Sequence, residues 1–224
     1  MPAAAFFDLD KTLWPYVGEK AFAYHQLARG IISLKQLLKI LGLQIRYDLH
    51  LIDGTETLKR KILHELFSNE LVDPCLSEYN DLFVKKLTRA FFPEMLDRIQ
   101  RHRDAGHKIV MISATIDFIA LPAATFLQAD ECYSTILETR NGCFTGEVCG
   151  SIPFGEAKAK LVRDYTGRNG IDLKNCYAYG DHWADRHMLA VVGNPVAVNP
   201  DRRLRKFAQQ NNWKTEIFTP KLAQ

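Results

Sequence analysis

Near the start of the chain an apolar run ends in two carboxylates, Asp8 and Asp10, within AAAFFDLDKTLW. Alternate residues of an extended strand point the same way, so two acids separated by one leucine leave it on one side. Three distant stretches offer matching chemistry. VMIS ends in Ser113, AYGD ends in Asp181 with Asp185 one turn on, and GEAK carries Lys158. Several carboxylates in one site repel each other unless a cation neutralises them. Asp8 and Asp181 would supply oxygens to a hard ion such as Mg²⁺, which commonly takes one or two carboxylates plus substrate phosphate. An ionised Asp8 could then attack phosphorus, as carboxylates do in aspartyl-phosphate enzymes. Asp10 would protonate the leaving oxygen and then activate water, help typically worth about 10²–10⁴ in rate. Ser113 and Lys158 would hold the phosphoryl oxygens, with Lys158 offsetting charge.

For this chemistry the four stretches must meet, and the pattern of elements says where. Residues 4–9 read as a buried strand. From about Val17 to Ala90 the pattern is helical, with about four helices. Gly30 stops the first, Ser33 and Thr55 are N-caps, and Asp73-Pro74 marks a helix start. Leu58, Ile62 and Leu66 share one helical face. After Pro93, strand and helix alternate. HKIVMIS, NCYAYGD and PVAVNP read as strands, Asn141-Gly142 as the turn of a hairpin, and DRRLRKFAQQN as the last helix. Such alternation predicts an α/β fold with a doubly wound parallel sheet and helices on both faces. The helical block is then an all-helical cap inserted after strand one. The expected division is 1–14 and 91–224 for the core and 15–90 for the cap. In parallel sheets ligands sit beyond the carboxyl ends of the strands, which is where Asp8, Ser113 and Asp181 fall.

Composition narrows the function classes. Of 224 residues 47% are hydrophobic and 25% charged, and the formal net charge is +3. That charge is too small to argue for nucleic acid, and Arg202, Arg203, Arg205 and Lys206 make only one basic helix turn. Five cysteines without a C-x-x-C pair read as free thiols in a reducing compartment. The N-terminal apolar run is short and broken by Asp8 and Asp10, unlike a signal peptide. No stretch reaches the length of a membrane span. The expectation is a cytoplasmic protein without stable membrane association. Oligomeric state is not legible.

Taken together, DLDKT, ISAT, GEAK and GDHWAD resemble the four motifs of the haloacid dehalogenase (HAD) superfamily of phosphohydrolases. The helical insertion is similar to the family's small C1 cap, and its placement, with GEAK and TRNGCFTGE, points to the phosphoserine-phosphatase-like branch. The resemblance implies Asp8 as nucleophile and Mg²⁺ ligand, and Asp10 as general acid/base lending its carbonyl to the metal. It implies phosphate binding by Ser113 and Lys158, with Lys160 as fallback, and Mg²⁺ ligation by Asp181. Asp185 would orient the metal's water or Lys158. Three positions differ from the usual family pattern. His182 stands where Ser is frequent, Ala184 where Asn is frequent, and Thr115 where phosphoserine-specific relatives have Gly. Substrate contacts would come from the cap, with Glu19, Lys20, Arg46 and Arg60 as candidates, and His182 would shape the pocket.

The expected activity is Mg²⁺-dependent hydrolysis of a small-molecule phosphate ester through an aspartyl-phosphate. Alternatives are phosphoryl transfer to an alcohol acceptor, action on a lipid head-group phosphate, and a binding protein that keeps the fold without turnover.

Overall fold

The computed structural model describes residues 2–35, 37, 38, 42 and 55–219. The reading of a helix from Ser33 falls largely outside these residues, as does Arg46. The architecture is mixed α/β. Among the described residues seven strands form one sheet in the order β4-β3-β2-β1-β5-β6-β7. They are β1 (Ala4–Phe7), β2 (Lys108–Ile116), β3 (Glu131–Arg140), β4 (Cys143–Cys149), β5 (Tyr177–Gly180), β6 (Asn194–Val198) and β7 (Lys214–Glu216). All neighbouring pairs are parallel except β3 and β4, which form an antiparallel hairpin. Its turn is Asn141-Gly142, both at positive φ (52° and 77°), as the twist of a two-residue hairpin requires.

β1 sits mid-sheet because both its faces are apolar and fully buried. Ala5, Phe7, Met111, Tyr179 and Val196 face one layer, packed with Met95 and Ile99 of helix α4 (Pro93–Asp104). Ala4, Phe6, Val110, Ala178 and Ala197 face the other. There they meet Val162 and Tyr165 of α6 (Glu156–Asn169), Met188 and Leu189 of α7 (Arg186–Ala190) and Leu204 of α8 (Arg202–Gln210). Helix α5 (Asp117–Phe126) continues directly from β2 and accommodates Pro122.

Between β1 and α4 lie α1 (Gly18–Ala28), α2 (Thr55–Phe67) and α3 (Val72–Lys85). Phe22, Leu63, Phe67, Tyr79 and Phe83 belong to the same apolar cluster as Phe7 and Met111, so this helical block shares a core with one face of the sheet. Polar bonds fasten it to the hairpin. Arg60 donates to the carbonyls of Val148 (3.2 Å) and Gly150 (2.6 Å), and residues 69–72 exchange main-chain bonds with Gly142 and Phe144.

Two sequence readings need amendment. The strand ending at VMIS runs three residues further, to Ile116. A seventh strand, Lys214–Glu216, follows the helix read as last. It is three residues long, polar and at the sheet edge, so no alternation announces it.

Candidate active site

The strand order places the chemistry. The chain moves from β1 outward through β2 and β3, then returns to the other side of β1 for β5. That reversal opens a crevice at the carboxyl ends of β1 and β5. Phe7 pairs with Tyr179, and the Asp8 amide donates to the Tyr179 carbonyl (3.0 Å), so Asp8 and Asp181 emerge side by side. Gly180 is required here. A Cβ on it would stand 2.7 Å from the Asp185 Cβ, so only glycine lets the Asp185 turn close over the strand end.

Asp8, Asp10, Ser113, Lys158, Asp181, Asp185, Glu19 and His182 all line one cavity of about 140 Å³. Lys158 lies in the first turn of α6, buried, and donates to Asp8 Oδ1 (2.7 Å) and Asp185 Oδ1 (2.7 Å). Lys160 is exposed and on another side of the helix. Asp185 also accepts from the His182 amide through Oδ2 (3.0 Å), so both its oxygens are held by protein donors. The carboxyl oxygens of Asp8, Asp181 and Asp185 include one from each residue within 4.8 Å of the others.

Electrostatics show what this cluster lacks. Burial raises the Asp8 pKa, with Lys158 pulling the other way. Burial, then Asp185 and Asp8, push Asp181 well above the carboxylate range. Asp10 is pushed up to about 7 by burial, Glu19 and Asp8. Lys158 is opposed by its own burial, yet Asp185 and Asp8 keep it firmly charged. Lys158 thus bonds two of the three buried acids, and Asp181 has only the charge attraction of Lys11 and Lys158. Among the described residues Asp181 gains no hydrogen bond to its carboxylate, although it is 6% exposed. The donor set therefore fits a hard divalent cation at Asp8 and Asp181, which would let both stay ionised.

Asp10 sits beside this cluster in a cradle of its own. Lys11 takes a left-handed conformation (φ 54°) and folds the chain back, so that the Trp14 indole donates to Asp10 Oδ1 (3.0 Å). The Gly18 amide donates to the same oxygen (3.0 Å).

The cap side of the cavity carries Glu19 from α1 and Glu56, Lys59 and Ile62 from α2. Glu19 Oε1 accepts from Lys59 Nζ (2.6 Å) and, more weakly, from the Ile116 amide (3.4 Å). Among the described residues the buried Glu19 Oε2 has no hydrogen-bond partner. Lys20 does not line the cavity, and Arg60 is committed to Glu56 and the hairpin carbonyls. His182 lines the cavity with Phe154 nearby, its Nδ1 accepting from the Ala184 amide (3.2 Å). Burial lowers its pKa.

Sequence reasoning missed Lys59, Trp14 and Gly18. A lysine on an amphipathic helix reads as solvated, so nothing local marked Lys59. Trp14 carried a faint signal as a large aromatic immediately after a polar motif.

A family model for haloacid dehalogenase-like hydrolases matches residues 5–190, the span that holds every residue of this cavity. The chain belongs to that family. As a haloacid dehalogenase-like hydrolase it is 32% identical over 224 residues to the phosphoserine phosphatase SerB1 of Mycobacterium tuberculosis, covering 97% of this chain and 71% of that protein. It is 26% identical over 231 residues to a histidinol-phosphatase of Neisseria meningitidis, covering 95% of this chain and 97% of that one. A substrate-bound phosphoserine phosphatase structure superposes with a TM-score of 0.77 at 16% identity, covering 99% of this chain and 95% of the other, a likeness of fold. Among the described residues no helix of this hydrolase is long and apolar enough to cross a membrane.

Proposed function

We propose that this chain is a Mg²⁺-dependent phosphomonoesterase acting through an aspartyl-phosphate on a small, amine-bearing phosphate ester. The observation that carries the reading is the buried meeting of Asp8, Asp181 and Asp185, with Lys158 bonded to Asp8 and Asp185 and not to Asp181. Mg²⁺ held by Asp8, Asp181 and the Asp10 carbonyl would neutralise the acids and polarise the phosphoryl group.

The chain's own residues do the rest. An Asp8 carboxylate oxygen forms a bond to phosphorus while the bond to the leaving oxygen breaks. The Asp10 carboxylic acid passes its proton to that oxygen, and a pKa raised to about 7 lets it serve as acid and then as base near neutral pH. In the second half Asp10 takes a proton from water, which attacks phosphorus and frees Asp8. The Lys158 ammonium, fixed by Asp185, holds a phosphoryl oxygen, and the Ser113 hydroxyl holds another by turning its proton away from Thr115 when the ester enters. Water-excluding walls come from Ile152, Phe154 and Ile62.

Glu19 supports the substrate class. An orphaned buried carboxylate oxygen costs free energy until a donor reaches it, and an ammonium is the strongest donor a small metabolite offers. Phosphoserine and histidinol phosphate both carry one, whereas only phosphoserine adds a carboxylate. Lys59 bonds Glu19 with one of the three N–H donors of its ammonium, so it can meet that carboxylate as well. The five free cysteines support a reducing, cytoplasmic setting.

The test is hydrolysis of p-nitrophenyl phosphate with and without Mg²⁺, then a panel of phosphoserine, histidinol phosphate, phosphoethanolamine and glycerol phosphate. The amine-bearing esters should lead. Activity that survives Asp8→Asn overturns the nucleophile, and product analysis with added alcohols separates hydrolysis from transfer.

A further inference from the structure

The register of β2 against β3 breaks at the active site. Ile112 pairs with Tyr133 and Ile116 with Thr135, so four steps along β2 span two along β3. The Thr135 hydroxyl pins the slack by donating to the Ala114 carbonyl (2.6 Å). Irregularities of this kind re-aim side chains beside active sites. Here the re-aimed side chains are Ser113 and Thr115, both nearly fully buried.

Their hydroxyls form a chain. Ser113 Oγ donates to Thr115 Oγ1 (3.1 Å), and Thr115 Oγ1 donates to Asp10 Oδ2 (2.9 Å). The other oxygen of Asp10, Oδ1, already accepts two N–H donors, from Trp14 and Gly18. A carboxylate oxygen accepts about two hydrogen bonds in its plane. Oδ1 is therefore full, and Oδ2 keeps one site open. Gly18 preserves the arrangement, because a Cβ there would lie 2.7 Å from Ile119 Cγ2 and 3.2 Å from Thr115 Cγ2.

We propose that Thr115 is a positioning residue whose hydroxyl, donating to Oδ2 of Asp10, sets the plane of that carboxyl so that Oδ2 carries the proton to and from the substrate. In the first half-reaction the Asp8–phosphorus bond forms, the bond from phosphorus to the leaving oxygen breaks, and the proton on Oδ2 passes to that oxygen. In the second half the water oxygen bonds phosphorus, the phosphorus–Asp8 bond breaks, and the water proton returns to Oδ2. Without the Thr115 hydroxyl the Asp10 carboxyl keeps its Oδ1 tether but loses the donor that fixes its rotation about that tether.

This inference rests on the phosphomonoesterase reading, and leaving-group dependence separates the two. A p-nitrophenolate leaves without a proton, whereas an alkoxide does not. The ratio of kcat/KM reports only steps up to the aspartyl-phosphate, so it isolates proton donation. In Thr115→Val, kcat/KM for glycerol phosphate should fall about 10–100-fold further than for p-nitrophenyl phosphate, part of the range general acid help supplies. Thr115→Ser should restore the ratio. Should Thr115→Val fail to fold by circular dichroism, Thr115→Ala carries the same readout without added bulk. Equal losses on both esters, or no loss on either, overturn the role of Thr115 while leaving the phosphomonoesterase reading intact. A wild type inactive on both esters with Mg²⁺ overturns both.

Discussion

Two buried polar clusters hang from strand β5, and they are built on opposite rules. At its carboxyl end Asp181 joins Asp8, Asp185 and Lys158, where burial and then the neighbouring carboxylates raise the pKa values of Asp8 and Asp181. Two residues earlier the Tyr179 hydroxyl meets His102 Nε2 (2.7 Å), and His102 Nδ1 meets His107 Nδ1 (2.9 Å). In the second cluster partners match, and its charged neighbour Arg98 is paired with Glu216 (2.8 Å). Burial, with His107 and Arg98, holds His102 down to about 4, so it stays neutral. A satisfied network specifies packing, whereas a charged cluster short of counter-charge is a candidate site for a ligand that supplies it. The contrast separates a cluster satisfied by its own partners from one that is not.

The largest effect breaks the working cluster. Asp8→Asn should lower kcat toward any phosphate ester by at least about 10³-fold, because the amide is not a nucleophile. The fold should persist by circular dichroism.

Asp181→Asn sharpens the comparison through stability rather than rate. Without divalent cation it should raise Tm, since it removes a carboxylate whose ionisation the folded state opposes. With Mg²⁺ the wild type should gain up to about 2.7 kcal/mol at a hundredfold excess over Kd, and the variant much less. Differential scanning calorimetry with and without Mg²⁺ reads both. A variant with the wild-type Mg²⁺ response would remove Asp181 from the ion's ligands.

On the cap side, Glu19→Gln should raise KM for amine-bearing esters about 10–100-fold, the worth of a charge-assisted hydrogen bond. KM for p-nitrophenyl phosphate, which offers no ammonium, should move far less. Equal shifts for both would assign Glu19 to cap packing.

The smallest effects belong to the neutral network. Tyr179→Phe should cost about 1–3 kcal/mol in urea unfolding by stranding His102. Acid should act there too. The folded His102 resists protonation down to about 4, against 6.5 unfolded, so the unfolded chain binds more protons between those values. This residue's contribution is complete above 6.5 and is lost as pH falls toward 4, by at most about 1.4 kcal/mol per pH unit. Replacing His102 with Asn should flatten that slope, measured as stability against pH.

Much of the site was legible because it obeys local rules. Asp8, Ser113 and Asp181 each follow a short apolar strand, and a parallel sheet gathers strand ends whatever lies between them. Lys158 was readable from GEAK as a lysine at a helix start. Gly30, Asn141-Gly142 and Pro93 marked boundaries through φ preferences that need no partner. The cap's substrate side was far less legible. Glu19 was one of several charged candidates, and Lys59 was not among them, since their pairing joins two helices 40 residues apart. Arg60 looked equally suited, yet packing turned it to the hairpin.

The sequence by itself determined the element types, the parallel sheet, the helical insertion and the set of acids, because periodicity and strand-end position are properties of short segments. Only the tertiary structure decided which lysine faces which carboxylate, where a cation is wanting, and that a register break in β2 turns Thr115 onto Asp10. Those outcomes depend on burial and on distances of a few ångströms between remote segments, and no local pattern encodes either.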